Sequence, residues 1–240
     1  SLGRMAGAVA HHYNNLLQVV IGNLEMAMDD LPRNFHTYEE VENALRASRR
    51  AASLGGVMLT YIGESFARQE RVDLCELCRE SLPALELNMP GTVALETDCP
   101  VPGPVVCLNA EQIRHLLSNL VVNAWEAMGG KSGVVSLKVG KVEGRALPVQ
   151  NRVPADFVPS APVYASLEVR DTGCGIAPEA LGKLFDPFYS TKFVGRGLGL
   201  AVAQGYLKAH NGCITVERTP GEGSTFCIFL PLAEETYRAN

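Results

Sequence analysis

Two imidazoles stand side by side at His11 and His12, in the run AVAHHYNNLLQVV. Imidazole is the side chain that gains and loses its charge near neutral pH, and its neutral ring nitrogen is a nucleophile. A solvated helix edge also carries histidines, so the pair acquires meaning only from its surroundings. Further along, Gln112, His115, Asn119, Asn123 and Glu126 recur at steps of three or four, the spacing of one helical face. Carboxamide and carboxylate oxygens in such a row ligate a hard cation such as Mg²⁺, directly or through water, although a plain solvated face has the same pattern. The strand-like run LEVR leads into Asp171, Thr172, Gly173, Cys174 and Gly175. A carboxylate at a strand end accepts a hydrogen bond from an exocyclic amine, and the glycines let the backbone approach a flat ligand; a bare tight turn reads the same way. Gly195, Gly197 and Gly199 then lead into a helix, an arrangement in which free N–H groups and the helix dipole hold phosphate, with Lys192 and Arg196 adding positive charge. Neither a Walker A nor a Rossmann fingerprint fits this turn. Gly221, Gly223 and Thr225 precede a terminal apolar run.

The elements that must position these residues follow from periodicity. Val9, Tyr13, Leu16, Val20, Leu24, Ala27 and Leu31 mark one apolar face of a helix from Met5 to Leu31, with His11, Asn15, Gln18, Gly22 and Glu25 on another. After the break LPRNFHT a second helix is predicted over Tyr38 to Phe66, making a helical hairpin. A hairpin has little core of its own, so pairing with a second copy into a four-helix bundle is expected, and with it a homodimer. From Glu70 the pattern shifts. TVALETD, VVSLKVGKV, YASLEVRD, CITVERT and TFCIFLPL read as strands, with helices over Asn109 to Met128 and Leu198 to His210 between them. That alternation predicts a sandwich of one helical layer on one mixed sheet. Residues 144–162, with four prolines and little periodicity, are expected to form a surface loop dispensable to the chemistry.

Composition narrows the partners. A net charge of −5 indicates no general attraction to nucleic acid or to an anionic membrane, so any bound anion must be held locally. No apolar run approaches the roughly 20 residues of a membrane span, and no signal-peptide pattern opens the chain. Seven scattered cysteines suggest a reducing, cytoplasmic setting, and the single CxxC of Cys75 and Cys78 lacks the further ligands of a zinc site.

The order AHHYNNLL, NLVVNAWEAM, DTGCGI, LFDPFYSTK, GRGLGL and GEGSTF resembles the H, N, G1, F, G2 and G3 boxes of sensor histidine kinases of two-component signalling, over nearly the whole chain. The resemblance implies an α+β protein: an N-terminal two-helix hairpin, dimeric as a four-helix bundle, followed by a two-layer α/β sandwich of the Bergerat type. It implies a dimerisation and histidine-phosphotransfer domain over 1–68 and a catalytic ATP-binding domain over 69–240. Such proteins normally carry a sensor region upstream, so any membrane attachment is expected to come from there. The implied activity is histidine autokinase chemistry, moving the γ-phosphate of ATP to His11 and then to an aspartate of a response-regulator receiver domain. Asn15 matches the residue that positions water for phosphatase activity. Asn119 and Asn123 match the N box, Asn123 being the implied Mg²⁺ ligand. Asp171 matches the carboxylate that reads the adenine amino group, with Gly173 and Gly175 beside the base. Phe185 and Phe188 match the F box. Lys192 to Arg196 match a short ATP lid, Gly197, Leu198 and Gly199 the phosphate turn, and Thr225 the G3 residue near adenine. One position departs from the family pattern: His12 replaces the Asp or Glu that usually follows the phospho-acceptor and takes or orients the imidazole proton. A catalytically weakened phosphotransfer, scaffold or phosphatase-dominant protein is the alternative that this departure leaves open.

Overall fold

In a computed structural model the described residues are 2–32, 36–61, 69–186, 189, 199–219 and 221–233. The chain divides into two compact units, Ser1–Phe66 with Leu184–Gly205 and Ala67–Lys183 with Tyr206–Asn240.

In the first unit, α1 (Leu2–Asp30) and α2 (His36–Tyr61) lie along one another as the expected hairpin. Residues 62–66, the expected end of α2, lie outside the described residues. Ile21 and Leu45 are buried, with Leu17, Leu24 and Met28 half-buried at helical spacing around Ile21. Of the expected apolar face Leu24, Ala27 and Leu31 are half-buried, whereas Tyr13, Leu16 and Val20 are exposed, together with Val19 and Met26. α1 carries apolar residues over more of its circumference than a single partner helix covers, and among the residues whose burial is described the covered edge runs through Ile21.

The second unit opens with β1 (Glu70–Asp73), α3 (Leu74–Asn88), β2 (Val93–Asp98) and β3 (Val105–Leu108). Asp73 caps α3, accepting hydrogen bonds from Cys75 N at 2.8 Å and Glu76 N at 3.1 Å. α4 (Ala110–Glu126) follows, capped by Asn109, whose side chain accepts from Gln112 N at 3.0 Å. Then come β4 (Gly133–Glu143), a 3₁₀ turn over Gly144–Ala146, β5 (Arg152–Val153), β6 (Val163–Asp171) and α5 (Pro178–Leu181). α6 (Gly199–Ala209) begins in the first unit and ends in the second, before β7 (Cys213–Thr219) and β8 (Gly223–Pro231). A six-stranded sheet runs β2-β4-β6-β8-β7-β5, parallel between β2 and β4 and antiparallel elsewhere, and β1 pairs with β3 separately.

Period-2 burial gives the sheet one apolar face: Val135, Leu137 and Val139 on β4, Ala165, Leu167 and Val169 on β6, Phe226, Ile228 and Leu230 on β8. α3 and α4 form the helical layer, α4 burying Ile113, Leu116, Leu117, Leu120, Val121 and Ala124. This is the two-layer sandwich that the motif order implied. α3, β1, β3 and β5 were not among the expected elements.

Residues 144–162 correct the expectation of a simple surface loop. β5 pairs with the edge strand β7, and Leu147, Tyr164, Cys213 and Phe229 form a small buried cluster with Phe157 and Ala161 packed on it. The Tyr164 hydroxyl accepts from Ser160 N at 2.9 Å and Ala161 N at 3.2 Å. Arg152 stands over the Phe157 ring at 5.3 Å and donates to Phe157 O at 2.7 Å. Proline-rich sequence conceals this because a two-residue strand has no period to read.

Candidate active site

Asp171 is the last residue of β6, one step beyond Leu167 and Val169 in the same alternation, so the pleat carries its side chain onto the core face. There it is 3% exposed, and a buried carboxylate needs partners. Gly173 N donates to Asp171 Oδ1 at 2.8 Å, closing the turn back on the strand.

That turn is pinned on several sides. Thr172 exchanges two bonds with Val134, accepting Val134 N on Oγ1 at 3.0 Å and donating its own N–H to Val134 O at 3.2 Å. Cys174 N reaches Ala127 O, the C-cap of α4, at 3.0 Å. A Cβ placed on Gly173 would come within 2.7 Å of the Ala127 backbone, so only glycine admits this approach. Gly221 N donates to Cys174 O at 2.9 Å, and Arg218 on β7 donates to Ile176 O at 2.8 Å. Gly223 has φ +107°, and a side chain there would collide with Asp171 O.

These contacts bring together much of what the sequence singled out. Asn123 lies one helical turn before Ala127, which accepts the Cys174 N–H, and Ala127 N bonds to Asn123 O at 3.0 Å. Asn119 lies one turn further back; both are half-buried, outside the buried row of Ile113, Leu117 and Leu120. Asp171, Gly173 and Gly175 form the turn itself, Gly175 at φ +70°.

Thr225 stands elsewhere in the register. It pairs with Arg170 and Glu217, both exposed, whereas Ser224 pairs directly with Asp171 and is 5% exposed. Directly opposite residues on neighbouring strands share a face, so Ser224 lies beside Asp171 and Thr225 lies on the other side of the sheet. Sequence reasoning missed Ser224; the clue was its parity with Phe226 and Ile228 along β8. It also missed Ala127, whose role is to be small beneath Gly173.

Other expected site residues fall elsewhere. Gly199 opens α6 in the first unit. Phe188, Lys192, Arg196, Gly197 and Leu198 lie outside the described residues. The backbone of His11 and His12 lies within α1, but their side chains are outside the described set; Asn15 is exposed on the same helix.

The donor set suits a purine nucleotide with a hard cation. A buried carboxylate and a neighbouring hydroxyl sit at a glycine-lined turn, where added Cβ atoms would collide, and two carboxamides lie on the adjoining helix. Among the described residues no group of three or more His, Cys, Asp or Glu is placed to hold a metal ion by itself. The described helices include none long and apolar enough to cross a membrane.

The profile of the family described as "Histidine kinase-, DNA gyrase B-, and HSP90-like ATPase" matches residues 108–234, more than half of the chain. The chain belongs to this family. It is 30% identical to the sensor kinase CckA of Brucella abortus, over all of this chain and 25% of that protein. It is 27% identical to the sensor histidine kinase ZraS of Klebsiella oxytoca, over 97% of this chain and 46% of that protein. It thus spans a quarter to under half of these curated relatives. In fold it is similar to full-length ShkA in complex with AMPPNP, with a TM-score of 0.68 at 20% identity, over 97% of this chain and 46% of that one. The resemblance to sensor histidine kinases drawn from the six motifs holds.

Proposed function

We propose that this chain is the core of a histidine autokinase that moves the γ-phosphate of ATP to His11 and then to an aspartate on a response-regulator receiver domain. The observation that carries this reading is the convergence on one turn of Asp171, Ser224, Gly173 and the last turn of α4, in a chain whose hairpin bears His11.

Asp171 accepts the adenine amino group, its carboxylate oriented by the Gly173 N–H. The Ser224 hydroxyl completes the polar edge at the same end of the sheet. Asn123 would hold Mg²⁺ through its carboxamide oxygen, with Asn119 one turn away binding the nucleotide, and the ion, when bound, would neutralise charge on the phosphates. We assign the phosphate end to Lys192, Arg196, Gly197, Leu198 and Gly199 by their match to the family's lid and phosphate turn, and Phe188 to its F box. His11 attacks the γ-phosphorus in line, so the protein acts mainly by positioning and charge neutralisation. Asn15, exposed on the same helix, orients the water that hydrolyses phosphate on the partner.

The exposed stripe of Tyr13, Leu16, Val19, Val20 and Met26 supports pairing of two hairpins into a four-helix bundle, hence a homodimer. We place the boundary between the phosphotransfer and catalytic domains at 68/69 and the protein in the cytoplasm. His12 in place of the usual acid favours one modification of this reading, a slower phosphotransfer step.

Incubation with γ-labelled ATP and Mg²⁺ tests the proposal. Acid-labile, base-stable label on the chain, passing to a receiver domain, supports it. Tight nucleotide binding without label contradicts it.

A further inference from the structure

Residues 172–177 carry the chain from β6 to α5 and belong to no strand or helix, so their backbone groups find partners one at a time. Ahead of Gly175 the turn is tied to β4 through Val134 and to the end of α4 through Ala127. Around Gly175 the partners come from the β7–β8 hairpin. Gly221 N donates to Cys174 O at 2.9 Å, and Arg218 Nη1 donates to Ile176 O at 2.8 Å. The carbonyls of the residues on either side of Gly175 are therefore both held from the same hairpin. Between them Gly175, at φ +70°, is the residue with the widest backbone freedom.

Parity along β7 places Arg218 for this contact. It follows the buried Val216 by two residues and stands opposite Ser224, which in turn stands opposite Asp171. Asp171, Ser224 and Arg218 thus form one row across the end of the sheet, on its core face. Arg218 is half-buried and lines an open cavity of about 760 Å³ together with Pro178 and Leu181. Little core packing depends on a side chain at the border of such a cavity. Its guanidinium is a cationic donor, so the bond to Ile176 O is charge-assisted.

We infer that Arg218 is a positioning residue for the nucleotide, its bond to Ile176 O fixing the Gly175 side of the turn in the geometry that receives the base. This rests on the nucleotide reading of the Asp171 turn. Without the bond, the backbone on the far side of Gly175 has no partner from the hairpin, and the ligand itself must order it at a cost in affinity. Chemistry takes place at the phosphates, away from this turn. Arg218 therefore acts on the binding of nucleotide and not on the turnover of bound ATP, which shows as a change in KM at constant kcat.

The test combines ADP calorimetry, the ATP dependence of autophosphorylation and urea unfolding on wild type and variants. Arg218→Met keeps an apolar stem and removes the donors, and Arg218→Gln is shorter by two bonds, so the result does not hang on the folding of one variant. Both should weaken ADP about 10-fold, the order of one charge-assisted hydrogen bond, and raise the KM for ATP by the same factor. The kcat and the urea midpoint should stay within experimental scatter. Arg218→Lys, which retains a cationic donor, should recover most of the loss, and Glu217→Gln, one residue away on the other face of β7, should bind ADP as wild type does. Wild-type affinity in Arg218→Met and Arg218→Gln, a loss that only tracks lost stability, or an equal loss in Glu217→Gln would overturn the inference and leave the nucleotide site standing. A wild-type chain that binds no ADP would overturn the nucleotide reading itself, and the inference with it.

Discussion

The Asp171 carboxylate and the Gly173 N–H form a 2.8 Å hydrogen bond that closes the turn at the end of β6 inside the apolar face of the sheet. It orients a buried carboxylate where sheet, turn and α4 meet. Asp171→Asn keeps the shape and an acceptor oxygen for Gly173 but removes the charge. A hydrogen bond to a charged group contributes about 1.5–3 kcal/mol, so nucleotide affinity should fall roughly 10- to 100-fold with the melting temperature little changed. Titration calorimetry with ADP checks this, and unchanged affinity would remove Asp171 from the site.

Register separates two neighbouring hydroxyls. Ser224 faces the same side as Asp171 and Thr225 the opposite side. Ser224→Ala is expected to weaken ADP binding about 2- to 12-fold, the worth of one ordinary hydrogen bond of ~0.5–1.5 kcal/mol, and Thr225→Ala to leave it within experimental scatter. The reverse order of effects would mean that β8 is shifted by one residue.

Gly223 combines φ +107° with a backbone approach to Asp171 that leaves no room for a methyl group. Gly223→Ala should lower unfolding stability by about 1–3 kcal/mol in urea titrations, and nucleotide binding should suffer with it. A neutral substitution would show that the turn relaxes without cost.

Much of this was legible beforehand, for identifiable reasons. α4 shows both of its faces in the sequence because Ile113, Leu117 and Leu120 alternate cleanly with Gln112, Asn119 and Asn123. Asp171 announces itself as a carboxylate ending an apolar strand before a glycine turn. What escaped notice was short or ambiguous. β1, β3 and β5 have four, four and two residues, too few to display a period, and α3 contains Pro83, which disguises its helical pattern. On α1 the apolar residues cover so much of the circumference that the choice of Ile21 over Leu16 for the contact with α2 cannot be read from spacing. Ser224 shares the core face with Phe226 and Ile228 by alternation along β8, but that it stands opposite Asp171 is set by pairing with β6 and not by local sequence.

The segment over 144–162 makes a separate prediction. The Tyr164 hydroxyl accepts two backbone N–H groups at the edge of a buried cluster. Tyr164→Phe leaves them without that acceptor and should cost about 1–3 kcal/mol of unfolding free energy, read from the urea midpoint. Nucleotide affinity should stay the same, because Tyr164 lies at the far end of β6 from Asp171. A loss below a few tenths of a kcal/mol would mean that water replaces the hydroxyl.

The measurement that bears most directly on the central claim is the position of the phosphate after incubation with γ-labelled ATP and Mg²⁺, followed on wild type, His11→Gln, His12→Gln and His12→Asp. The account predicts acid-labile, base-stable label that disappears in His11→Gln and persists in His12→Gln. His12→Asp should label faster, since one acid–base contribution is worth about 10²- to 10⁴-fold in rate. Label that survives His11→Gln, or a wild-type chain that binds ATP and never becomes labelled, would contradict it.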